Sequence, residues 1–152
     1  MKYEVDQSAK IEQTNKDTVI SIANKEYSYS IKINSKIKQS LQKYFNLIRK
    51  PKMFAVYLFT TGLIILIKKS GVKNSVVTID LEYLGYNKVI SNELSKNTNQ
   101  DLDFRFSNIG KGSPAHDSAY KTFKKKTKPD YVASKSEVEA IIFKMISTGG
   151  SI

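Results

Sequence analysis

Val76-Val77-Thr78-Ile79-Asp80-Leu81-Glu82-Tyr83 is the strongest strand signal in the chain: β-branched and apolar, within a Ser75–Tyr83 segment bounded by turn-forming residues. Asp80 is out of place in it, because aspartate is disfavoured inside strands and its neighbours Ile79 and Leu81 read as buried. Glu82 follows two residues later, so a regular strand points both carboxylates to one face, roughly 6.5 to 7 Å apart. Lys2-Tyr3-Glu4-Val5-Asp6 repeats the design, with an acid where the segment runs into the polar turn Gln7-Ser8-Ala9-Lys10. In a chain of formal net charge +11, carboxylates are scarce. Two of them on buried-looking strands suggest a divalent-cation site facing a polyanion.

The bulk composition narrows the partner. Lys and Arg number 25 against 14 Asp and Glu, which favours nucleic acid over an anionic membrane face. Nearly all the positive charge is lysine, a point charge suited to phosphates rather than to bidentate base reading. The bland alternative is a merely soluble basic surface. Cysteine is absent, excluding disulfides, a Cys-ligated zinc and a Cys nucleophile; the expected location is cytoplasmic. The polar, acidic start Met1–Asp6 has no signal-peptide character. The uncharged run Met53–Ile67 falls short of the roughly twenty residues of a spanning helix, so a buried core helix entered through a strand is expected, without stable membrane insertion. With 152 residues, one domain over 1–146 and a flexible tail over 147–152 are expected.

Patterning supplies the remaining elements. Lys2–Asp6, Lys10–Gln13, Thr18–Ala23 and Glu26–Asn34 read as short strands divided by polar turns, three of them making an antiparallel meander. In the last, Tyr27, Tyr29, Ile31 and Ile33 share one face, and Ser28, Ser30, Lys32 and Asn34 the other. Ser35 as N-cap starts a helix through Ile37, Leu41, Tyr44, Phe45 and Ile48, ended by Pro51. A helix surrounds Val89, Ile90 and Leu94; Ser95–Gln100 is a loop, and Asp103–Ile109 alternates as a strand. Ser113 and Pro114 open a helix whose face carries His116, Ala119, Tyr120 and Phe123. Tyr131–Ala133 is a short strand, and Ser134 caps a last helix through Val138, Ile141, Ile142 and Met145. The class is α/β with a mixed sheet.

This order of three strands, a helical region, an acid-bearing strand, a helix, a fifth strand and terminal helices resembles the ribonuclease H-like nuclease superfamily. Its members include ribonuclease H, RuvC-type Holliday-junction resolvases and retroviral-type integrases. The resemblance spans most of the chain and rests on element order, acid placement and the turn Asp6-Gln7-Ser8-Ala9-Lys10. It implies an Asp on a central first strand, matched by Asp6, and an acid ending the neighbouring fourth strand, matched by Asp80 or Glu82. It also implies a third acid or a His from a C-terminal helix, matched by His116 or Asp117. The metal ligands so implied are Asp6, Asp80 and Asp117, holding Mg²⁺ or Mn²⁺, with Glu82 assisting and His116 supporting proton transfer. Two such ions about 4 Å apart activate water, stabilise the leaving oxygen and screen phosphate charge.

Each residue also has an ordinary reading. Asp6 can end its strand in an Asx turn, Glu82 can be an exposed strand-end residue, and His116 can be a packed, hydrogen-bonded histidine. Glu12 and Asp17 are reserve acids in turn-like surroundings. Gly110-Lys111-Gly112-Ser113 either cradles a phosphate on backbone N–H groups or is a tight turn before a capped helix. Lys10, Lys111, Lys121, Lys124, Lys125, Lys126 and Lys128 are the expected nucleic-acid contacts. The expected activity is metal-dependent hydrolysis of phosphodiesters in a DNA junction or an RNA–DNA hybrid, by a homodimer with Met53–Ile67 in its interface. The alternative is a non-catalytic basic nucleic-acid-binding module.

Overall fold

Alternation of Tyr3 and Val5 with Glu4 and Asp6 gives the first strand, β1 (Lys2–Ser8), one apolar and one polar face. The computed structural model describes residues 1–98 and 101–149. β1 pairs antiparallel with β2 (Thr18–Ala23), and β2 antiparallel with β3 (Ser28–Ile33), completing the expected meander. β4 (Val76–Asp80) inserts parallel on the other side of β1, and β5 (Asp103–Ser107) is parallel beyond it. β6 (Tyr131–Val132) adds two parallel residues to β3, so the sheet order is β5-β4-β1-β2-β3-β6. The chain is therefore α/β with a six-stranded mixed sheet.

The two faces of the sheet are covered unequally. Ile20 and Ile33 approach Gly62 of α2 (Met53–Ser70), whereas Ser21, one residue on from Ile20, meets Ser118 of α4 (Pro114–Phe123). Successive strand residues face opposite sides, so α2 and α4 lie on opposite faces. On the α2 side, α1 (Ser35–Leu47), α3 (Asn87–Asn97) and α5 (Lys135–Gly149) pack around that helix. On the other, α4 is the helix that crosses β1, β2 and β3 among the described residues. The polar rows of β4 and β5 (Thr78, Asp103, Arg105, Ser107) are thus left beside it as an open shelf.

α2 is apolar on every side and buried at 14 of its 18 positions. By length and composition it could cross a membrane, and it reaches Ser70, longer than the uncharged run alone. No strand leads directly into it, because the turn at Pro51 runs straight into helix. Its burial inside the chain leaves four of its positions outside the core. A side chain at Gly62 would place Cβ 2.6 Å from the Ile20 terminal methyl and 3.2 Å from that of Ile33, so the bare backbone sets how closely helix and sheet approach. Gly71, with φ 72°, ends the helix in the left-handed conformation.

Several boundaries move for local reasons. Lys10–Gln13 is not a strand: Gln13, Thr14 and Lys16 N–H groups bond back to Lys10, Glu12 and Gln13 carbonyls, coiling the segment into turns. The cause is Lys38 of α1. Its ammonium is wholly buried and donates to the carbonyls of Lys10 (3.2 Å), Gln13 (2.7 Å) and Lys16 (2.7 Å) and to Thr18 Oγ1 (2.8 Å). α1 has Asn34 rather than Ser35 at its N-cap, and the Ser35 N–H is bound instead by Asp17 Oδ1 at 2.8 Å. Ser134 does cap α5, in a reciprocal box with Glu137. α3 continues to Asn97 and α5 to Gly149, beyond the expected starts of loop and tail; the rest of those segments, 99–100 and 150–152, lies outside the described residues.

Candidate metal centre and its basic surround

The parallel register pairs Val5 with Ile79, so one step further along both strands brings Asp6 beside Asp80. Asp6 faces the α4 side, opposite Ser21 of β2, and only 5% of it is exposed. Its Oδ1 accepts the Gln7 N–H at 2.8 Å, and its Oδ2 lies 2.9 Å from His116 Nδ1. Asp80 ends β4, where its Oδ1 accepts the Ile109 N–H at 2.8 Å and fastens the chain leaving β5.

Glu82 joins them from beyond the end of the strand. The strand stops at Asp80, Leu81 N–H turns to the Ser107 carbonyl, and Glu82 lies in the irregular segment beyond. Its carboxylate packs against that of Asp80, so the two acids two residues apart meet on one side of the chain as the spacing predicts, although the regular strand ends between them. Asp6, Asp80 and Glu82 each present an oxygen within 4.8 Å of the others, the metal-capable group found among the described residues.

Protonation follows from this crowding. Burial pushes the Asp6 carboxyl up, Asp80 adds repulsion, and the His116 and Gln7 hydrogen bonds pull it partly back. Glu82 is pushed up to about 7, first by burial and then by the carboxylate of Asp80 beside it. Lys10 opposes that rise, its Nζ lying 3.5 Å from Glu82 Oε2. The cluster holds more negative charge than its surroundings neutralise, which is the condition a hard cation relieves. Oxygen donors alone suit Mg²⁺ or Mn²⁺ better than zinc or copper.

His116 enters from α4. Ser113 Oγ accepts the His116 N–H at 3.1 Å, with Pro114 at the first helical position, so the predicted cap aims the first turn at β1. The buried stripe of the helix is Ala115, Ala119 and Thr122 rather than His116, Tyr120 and Phe123. His116 sits at its border, its ring stacked parallel to that of half-exposed Tyr120 at 6.3 Å. An ionised Asp6 only accepts, so Nδ1 carries the hydrogen of that contact and Nε2 is the nitrogen left for a proton.

Asp117 does not join the centre. One position on from His116, it projects elsewhere on α4 and pairs with Lys121 at 3.0 Å. The reserve acids are also engaged: Glu12 accepts from the Tyr83 hydroxyl at 2.9 Å, and Asp17 caps α1. Burial raises the Tyr83 hydroxyl, keeping it a donor to Glu12. The expected basic residues fall into two places. Lys10 is at the cluster, and Lys111 is exposed on the turn before α4. Lys121, Lys124, Lys125, Lys126 and Lys128 are exposed at the end of α4 and beyond it, Lys124 lying 5.7 Å above the Tyr120 ring.

Sequence reasoning passed over Lys38, which carries the loop that presents Lys10. Burial pushes its ammonium down to about 8, against the pull of Asp17 and Glu12. Its place between Ile37 and Leu41 on the inner helix face was the available signal. No family model matches the chain, and no curated protein or solved structure matches it significantly.

Proposed function

We propose that this protein is a Mg²⁺- or Mn²⁺-dependent nuclease of ribonuclease H-like, RuvC-resolvase-like type, hydrolysing phosphodiesters in structured DNA such as a junction or in an RNA–DNA hybrid. The observation that carries the reading is the convergence of Asp6, Asp80 and Glu82 within 4.8 Å, with His116 2.9 Å from Asp6. The placement supports the family as well. β1 lies inside the sheet with its acid beside the acid that ends β4, and the histidine comes from a helix after the fifth strand.

Asp6, Asp80 and Glu82 would hold the metal; when bound it supplies polarisation of the phosphate and screening of its charge. Lys10 neutralises charge beside Glu82 and meets the incoming phosphate. A water oxygen forms the new bond to phosphorus as the bond to the leaving sugar oxygen breaks. Glu82 accepts the water's proton, and His116 gives one to the leaving oxygen from Nε2. Asp6 fixes the imidazole so that Nε2 is the atom that exchanges.

The test incubates the protein with labelled four-way junctions, RNA–DNA hybrids and single strands, in Mg²⁺, Mn²⁺ or EDTA, alongside Asp80→Asn. Metal-dependent cleavage lost in Asp80→Asn is the expected result. Binding without cleavage in every arm would overturn it and leave a basic binding module.

A further inference from the structure

α4 is a ridge across β1–β3 with a cavity on each flank, and the two cavities differ in charge. The one toward the β2–β3 turn, about 480 Å³, is lined by Lys25, Lys121 and Lys128 but also by Glu26, Asp117 and Asp130, so it is electrically balanced. The other, about 510 Å³, is lined by Lys16, Lys32, Lys125 and Lys128 against Asp17 alone. That single acid is committed, accepting the Ser35 N–H through Oδ1 while Oδ2 lies 4.0 Å from Lys32. The basic cavity has an apolar side as well: Val19, Pro129 and half-buried Phe123, which is not among the aromatics packed on the main core.

The floor of the basic cavity lies on the same face of the sheet as Asp6. Asp6 pairs with Ser21, Ser8 with Val19 and Val19 with Lys32, so the cavity's floor is the row directly above the one holding Asp6. β3 lies about 10 Å from β1 across the sheet, a reach of one or two nucleotides.

One lysine there breaks a local rule. The end of α4 closes with Lys125 N–H on the Thr122 carbonyl and Lys126 N–H on the Lys121 carbonyl, a turn whose left-handed residue is ordinarily glycine. Lys125 occupies that position with φ 63°. A lysine side chain thus stands where the backbone favours glycine, as at Ala9, Arg49 and Asn74, and here it lines the basic cavity.

We propose that this groove binds a single-stranded segment of the nucleic-acid substrate, its phosphates on Lys16, Lys32, Lys125 and Lys128 and one unstacked base against Phe123. The inference deepens the nuclease reading: it makes the substrate one with unpaired nucleotides beside the scissile bond, as at a junction or flap, rather than a continuous duplex. Lysines around an apolar, aromatic floor match a strand that offers both charge and a free base face, which a paired helix conceals.

The experiment measures binding of fluorescent oligo-dT, oligo-rU and a blunt DNA duplex in EDTA, across a salt series, so that no cleavage is needed. Lys125→Gly is the decisive variant, because glycine suits the backbone there and the protein keeps or gains thermal stability. Lys125→Gly and Lys16→Ala should each weaken oligo-dT binding about three- to tenfold and flatten the salt slope by about 0.7. Phe123→Leu should weaken it by about fivefold or more while leaving the slope unchanged. Lys25→Ala, on the balanced flank, should bind as wild type. Wild-type affinity in Lys125→Gly and Lys16→Ala, an equal loss in Lys25→Ala, or preference for the duplex would each overturn the groove. Preference between oligo-dT and oligo-rU identifies the sugar. Failure of the nuclease reading shows separately, as normal oligo-dT binding without cleavage in Mg²⁺.

Discussion

Replacing Lys38 by methionine keeps the length and apolar stem of a wholly buried side chain and deletes its ammonium. The Lys10 and Gln13 carbonyls keep backbone partners, the N–H groups of Gln13 and Lys16. The Lys16 carbonyl and the acceptor side of Thr18 Oγ1, which itself donates to the Ala9 carbonyl, lose theirs. An orphaned buried acceptor costs about 1 to 3 kcal/mol, and bonds to a charged donor contribute about 1.5 to 3 kcal/mol each. Against this, methionine avoids the desolvation that pushes the Lys38 ammonium down to about 8. The expected net loss is about 2 to 3 kcal/mol, or roughly 5 to 10 °C in Tm for a chain of this size. Urea denaturation measures it, and amide exchange locates it: protection should fall first over residues 9–17 and not in β5. A Lys38→Met protein within about 0.5 kcal/mol of wild type would refute the view that this ammonium organises the loop.

The remaining tests address the centre and the core. Glu82 has a folded pKa raised to about 7 from 4.5, so the folded state holds the extra proton between those values. That contribution is full below about pH 4.5 and is lost as pH rises through 7; a urea series from pH 5 to 8 should show stability falling, with Glu82→Gln flattening the fall. Mg²⁺ at a hundredfold excess over its dissociation constant should add about 2.7 kcal/mol to unfolding, read as a Tm increase. Asp80→Asn should abolish that increase while raising the metal-free Tm, since it keeps the acceptor for the Ile109 N–H and removes a crowded charge; a persistent Mg²⁺ shift would remove Asp80 from the site. Gly62→Val, forced against Ile20 and Ile33, should cost about 1 to 3 kcal/mol by thermal melt, and a neutral result would mean α2 can lift from the sheet.

The elements whose pattern matched their burial were legible from residues alone. Thr18–Ala23 and the face of Ile31 and Ile33 are apolar in the right period, and the Ser113-Pro114 and Ser134-x-x-Glu137 starts carry their own chemistry. Asp6, Asp80 and His116 were legible because polar residues stood where the pattern expected burial or a helix start. What escaped depends on distant partners. Lys10–Gln13 has a strand's composition, but a lysine 28 residues from Lys10 draws its carbonyls inward. Asp117 adjoins His116 in sequence, yet the helical turn between neighbours sends it to Lys121. Glu82 reaches the centre from two residues beyond Asp80, as its spacing predicts, although the regular strand ends at Asp80.

The enclosure of α2 has a consequence for how the chain must be made. Its walls come from both directions along the sequence: β2, β3 and α1 precede it, while α3 and α5 follow. During synthesis the most oil-like segment emerges with only part of its shelter. Roughly 80 residues then separate its end from that of the closing helix, a delay of about 4 to 16 s at ribosomal speed. For that interval a helix with the length and composition of a membrane span stands partly bare, so the nascent chain, more than the finished fold, is where aggregation is the hazard.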